Sequence, residues 1–124
     1  MRDIEFRGRT KDTLEWVYGW YLKKVIDGEE VHYIRDIVDD REWEVEVDSV
    51  GQYLEINDKN EDRIYYGSII EVNLGDISKK IIIDDSFDIK RFFHWWVKNN
   101  INFNDVELLG NVIDNPELQK KRDD

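Results

Sequence analysis

The chain has 124 residues, a formal net charge of −11, 40 % hydrophobic and 13 % aromatic residues, and no cysteine. This is the size of one ordinary domain with enough apolar material for a core, which excludes a wholly disordered chain. The lack of cysteine excludes disulfides and thiolate-ligated metals. No charged start leads into an apolar run, and no apolar stretch approaches bilayer-spanning length, so the expectation is a cytoplasmic protein without membrane contact.

The charge is unevenly spread. Residues 1–24 hold six Lys/Arg and four Asp/Glu, residues 25–63 four and fourteen, and residues 64–124 eight and eleven. An anionic chain repels phosphate at long range, so direct nucleic-acid binding is not expected. The acidic middle is read first as a solvated surface and second as a patch that meets a basic partner.

Two-residue alternation dominates the chain. Ile4 and Phe6 alternate with charged neighbours and mark a short first strand. In the next segment Trp16, Tyr18, Trp20 and Leu22 share one face, and Val17, Tyr21 and Val25 share the other. Both faces are apolar, which predicts a central or interfacial strand. Asp27-Gly28 suits a type I′ hairpin turn, and Val31–Ile34 form the return strand. Residues 42–48 alternate Trp43, Val45 and Val47 with Glu42, Glu44, Glu46 and Asp48. This pattern predicts a half-buried strand with the carboxylates outward. Tyr53, Leu54 and Ile56 lead into Asn57-Asp58-Lys59-Asn60, a dense turn signal. Ile64 to Val72 reads as one strand interrupted by Gly67, and Ile81–Ile83 as a short buried one.

Residues 86–98 change period. Ile89, Phe92, Phe93 and Trp96 recur at helical spacing, with Ser86 as the expected cap. The prediction is an amphipathic helix, with a strand as the alternative. His94 and Trp95 fall off the stripe, which points to an interface or to a locally covered Trp. Val106 to Ile113 gives the last strand, and Asn115-Pro116 ends it ahead of a short terminal helix. The fold class expected is mainly β: a strongly bent sheet or small barrel with one short helix, in a single domain over 1–124.

Three ordered segments resemble the YopX family. They are Phe6-Arg7-Gly8 with Glu15–Gly19; Val50–Tyr53 with Asp58-Lys59-Asn60 and Ile64–Ile70; and Gly110–Leu118. They span nearly the whole chain. The chain departs from the family pattern at Leu54-Glu55, at Glu61 and at Ser68, where the family carries an acidic residue. The resemblance implies a β-rich fold and a bacteriophage or prophage origin, and it implies no biochemical activity.

No catalytic residue, cofactor site or metal site emerges from the residues. A row of carboxylates at about 3.3 Å rise per residue does not converge on one ion, so Glu42, Glu44, Glu46 and Asp48 read as a solvated face, or as one paired across strands with Lys23 or Lys24. Asn57–Asp62 lacks the glycine and distal glutamate of a calcium loop. Only His32 and His94 occur, too few for a histidine-rich metal site, and no Gly-x-Ser-x-Gly element accompanies them. The seven glycines are scattered and form no phosphate cradle. The candidates that remain are an interface at Trp16, Tyr18, Trp20, Tyr21, His94 and Trp95, and an acidic partner surface at Glu42, Glu44, Glu46 and Asp48. The functional expectation is a non-enzymatic accessory protein that self-assembles, as a homo-oligomer, or binds a host or phage protein. The rivals are an acidic mimic of nucleic acid and a small enzyme or nucleotide-binding domain whose site forms between subunits.

Overall fold

The structure, a computed structural model, describes residues 5–36, 38–84 and 88–119. Over these residues it shows nine strands, one α-helix and three short 3-10 helices. They fall into two compact units, Met1–Tyr53 and Leu54–Asp124.

The first unit holds β1 (Phe6–Arg9), β2 (Trp16–Ile26), β3 (Glu29–Asp36), β4 (Arg41–Glu44) and the start of β5 (Gly51–Asn57). Ile4 lies outside the described residues. All pairings are antiparallel, in the order β4-β3-β2-β1-β5. The β2–β3 hairpin closes at Ile26↔Glu29, and Asp27 and Gly28 both take positive φ, 52° and 82°. That is the condition a type I′ turn imposes, and it matches the turn expected from Asp-Gly.

The sheet is strongly bent but does not close. Thr10 makes an isolated bridge to Val45, supported by Lys11 N–H to Glu44 O at 3.1 Å and Glu46 N–H to Arg9 O at 2.9 Å. This brings the two ends of β4-β3-β2-β1 together at one point. A barrel needs a continuous ladder between its first and last strands, and β4 is only four residues long. The small-barrel expectation is corrected accordingly. Tight coiling explains two glycines. A Cβ on Gly19 would stand 2.1 Å from the Arg35 carbonyl oxygen, and one on Gly8 would stand 3.0 Å from Val45.

The acidic strand also ends early. Val45 is fully buried and Trp43 is half-buried, but Val47 is 53 % exposed at the start of a 3-10 helix, Val47–Ser49. The inward place expected for Val47 is therefore wrong. Ser49 is the buried residue of that turn instead. Its hydroxyl accepts from Arg9 N–H at 2.7 Å and donates to Glu46 O at 2.6 Å. A side chain that satisfies the backbone of a turn competes with the strand ladder.

The second unit holds the rest of β5, then β6 (Arg63–Tyr65), β7 (Ser68–Asn73), β8 (Ser78–Ile82), α1 (Ile89–Lys98) and β9 (Val106–Asn111). β6 pairs with β5, and β7 is the centre of a separate antiparallel sheet ordered β8-β7-β9. The single strand expected over Ile64 to Val72 is thus two strands in two sheets. Gly67 turns the chain with φ 99°, and the buried Ser68 hydroxyl accepts from Tyr65 N–H at 3.0 Å. The core gathers Ile56, Ile64, Ile70, Val72, Ile83, Phe92, Ile101 and Val106.

α1 confirms the helical period. Its cap is Asp88, which accepts from Arg91 N–H at 3.2 Å; Ser86, the expected cap, lies outside the described residues. Phe92 is buried, and Phe93, Trp95 and Trp96 pack against the core, while Ile89 is 38 % exposed. The apolar stripe therefore starts one turn later than its spacing suggested. No helix among the described residues is long and apolar enough to cross a membrane.

Candidate functional site

The interface residues expected on β2 divide into two groups. Trp16 lies under the Arg7 guanidinium, 4.5 Å from its ring centre, and Arg7 is itself buried. Tyr21 stacks on His32, with 5.8 Å between centroids and 8° between planes, and its hydroxyl lies 2.6 Å from His32 Nδ1. These two aromatics are absorbed by the unit. Tyr18 and Trp20 are open to solvent, 45 % and 56 % exposed, and Leu14 nearby in sequence is 55 % exposed. An exposed indole on an inner strand of a sheet is costly to leave in water, since a Trp buries 150–250 Å² when covered (an order-of-magnitude range).

The acidic row is largely neutralised within the unit. Glu42 pairs with Lys24 at 2.8 Å, Glu44 with Lys11 at 3.0 Å, and Glu46 with Arg9 at 2.7 Å. Lys24 also sits 4.6 Å from the centre of the Tyr33 ring. The expected pairing with Lys24 is present. Lys23 instead meets Glu30 at 3.6 Å. Lys11 is pushed above its ordinary value by its hydrogen bond to Glu44 and by that carboxylate's charge. Asp48 makes no ion pair among the described residues. The same residues contain no group of three or more His, Asp or Glu side chains placed to hold a metal.

In the second unit, His94 is exposed on α1. Trp95 is locally covered: it packs on Phe92 at 6.1 Å between centroids, and Lys79 lies 5.4 Å above its ring. Trp95 also lines an open groove of about 480 Å³ with Lys79, Ile81, Ile82, Asp88, Arg91 and Phe92. Sequence reasoning missed this groove. The only signal for it was Trp95 off the helical stripe, because Lys79 and Arg91 are brought together by packing and not by spacing.

A second feature invisible in sequence is Asp58, which is 2 % exposed. One carboxylate oxygen accepts from the N–H groups of Asn60 and Asp62 at 2.9 Å each, and the other from Leu108 N–H at 2.9 Å. The carboxylate pins the 57–62 turn to β9. Three backbone donors satisfy a buried charge without a metal.

The family model described as YopX protein matches residues 5–120. The chain belongs to the YopX family. No curated protein and no solved structure matches it. The segments that carry the YopX resemblance are structural in this chain. Gly8 and Gly19 permit close strand approach. Asp58 and Ser68 hold turns through their side chains. In Gly110–Leu118, the Asn111 carboxamide oxygen accepts from Ile113 N–H at 3.0 Å and Asp114 N–H at 2.8 Å. A Cβ on Gly110 would stand 2.3 Å from Asn115 Oδ1. Ser68 serves the backbone and has no solvent access.

Proposed function

We propose that this YopX-family chain is a phage or prophage accessory protein that acts without catalysis, by self-assembly through the face of β2. The observation that supports this reading is the exposure of Tyr18 and Trp20 at alternate positions of an inner strand. Aromatic side chains of this kind are enriched in interface cores. The β2–β3 hairpin adds Ile26 on the same face, 46 % exposed. A two-stranded ribbon gains little stability alone in water, and a second copy would cover it. Symmetric homo-oligomers are the commonest outcome of such self-association.

The acidic strand supports the mimicry reading less well, because Glu42, Glu44 and Glu46 each already meet a cation. Light scattering at micromolar concentration tests the proposal. The expected mass is a multiple of 15.0 kDa, reduced towards the monomer by Trp20→Ser with the circular dichroism spectrum unchanged. A monomer mass for the parent chain at both low and high salt would remove self-assembly and leave binding to a host or phage protein.

A further inference from the structure

β8 is the edge strand of its sheet, and among the described residues no strand pairs with its outer side. Its register shows which backbone groups face outward. Ile83 N–H donates to Ser68 O, and Leu74 N–H donates to Ile77 O. Hydrogen-bonded pairs alternate along an antiparallel ladder. Ile77, Lys79, Ile81 and Ile83 therefore direct their backbone groups at β7, and Ser78 and Ile82 direct theirs away from it.

The groove against α1 runs along this edge. Successive side chains of a strand point to opposite faces, yet Ile81 and Ile82 both line the groove. Only the strand's edge lies between those faces. One wall is thus the outer edge of β8, where Ser78 and Ile82 direct their backbone groups, and the other is Phe92 and Trp95 on α1.

The rim carries the charge that selects an occupant. Lys79 and Arg91 are exposed, and neither makes an ion pair among the described residues. This is a chain of 29 carboxylates and 18 Lys/Arg, in which Arg9, Lys11, Lys24 and Arg35 all hold a carboxylate. Among the described residues the one carboxylate lining the groove, Asp88, is engaged in capping α1. Lysine on an edge strand discourages indiscriminate pairing. Here it would repel a basic strand and admit an acidic one.

We propose that the groove between β8 and α1 binds an extended, acidic peptide segment of a partner protein, which adds to β8 as a strand and places carboxylates on Lys79 and Arg91. The backbone pairing supplies affinity, Phe92 and Trp95 take an apolar side chain, and the two cations set the sign of the partner. This binding is independent of the β2 face and of any assembly through it.

The test uses the full chain and a fluorescein-labelled heptapeptide of alternating Glu and Val, with the Lys/Val peptide as control, read by anisotropy. The acidic peptide should bind and the basic one should not. The double variant Lys79→Glu/Arg91→Glu should weaken binding by about tenfold or more, given two exposed charge pairs, while Lys98→Glu should leave it within about twofold. Hydrogen exchange at the Ile82 amide should slow when the acidic peptide is added. Equal binding of both peptides, an unchanged affinity in the double variant, or unaltered exchange at Ile82 would each overturn the proposal. A parent oligomer that the double variant dissociates would replace the partner peptide with a second copy and overturn it equally. Charge inversion in the peptide reads the same contact without altering the protein, so a misfolded variant leaves the test intact.

Discussion

The two units of the chain reach order by different means. Among the described residues, the second unit buries ten apolar side chains, mostly Ile and Val, with Phe92 of α1 among them. The first buries two, Ile34 and Val45, beside Arg7, Thr10 and Ser49. It relies on a bent sheet, on cations over aromatic rings, and on ion pairs along its acidic strand. Apolar burial contributes roughly 1.5–3 kcal/mol per large side chain, whereas an exposed ion pair contributes about 0–1 kcal/mol. The second unit therefore has an apolar core of its own, and the first has little of one. Trp20 is the largest exposed aromatic of that unit, and the proposed assembly is placed there on this ground.

The largest test of this contrast is Phe92→Ala. Phe92 is 5 % exposed and touches Phe93, Trp95 and Trp96, so its truncation should cost about 3–5 kcal/mol. Hydrogen exchange should show amides of β7 and β9 losing protection. Protection retained there would mean that the second unit does not depend on its apolar core. The next test compares two valines two residues apart in the first unit. Val45→Ala should cost about 2 kcal/mol, because the side chain is fully buried. Val47→Ala should change stability by less than about 0.5 kcal/mol, as exposed substitutions do. Equal losses in chemical denaturation would restore the regular strand through residue 47. The smallest effect is electrostatic. Lys11 is held above its ordinary value by its hydrogen bond to Glu44 and by that carboxylate's charge. Because its folded value is raised, this stabilisation is fully present below the unfolded value and fades as pH rises through the folded one. Glu44→Gln should leave the melting temperature nearly unchanged at neutral pH and flatten that alkaline decline. A large loss at neutral pH would mean the acidic strand is structural and not a paired surface.

The resemblance to a family was legible because it rests on turns and close approaches, which need particular residues at particular places. Gly19 admits no side chain, and Asn111 closes its own turn. Such demands are local and leave a trace in sequence. The candidate sites leave less. A groove arises from surfaces that meet, and Lys79 and Arg91 lie on a strand and a helix whose packing no spacing encodes. The exposure of Trp20 was half-legible: alternation showed two apolar faces on β2, but not which aromatic would be covered.

The sequence by itself determined the mainly β character, the Asp27-Gly28 hairpin, the helical period within 86–98 and the Asn57–Asn60 turn, because each depends on periodicity or on backbone preferences within a few residues. Tertiary structure alone decided that β6 and β7 part into two sheets, that the bent sheet stays open, that Val47 turns outward, and that Asp58 is buried. Those outcomes depend on partners distant in the chain: His32 and Arg9 hold Val45 and Glu46 in place by backbone bonds, and Leu108 completes the shell of Asp58. Local preference cannot register a hydrogen bond whose other half lies fifty positions away.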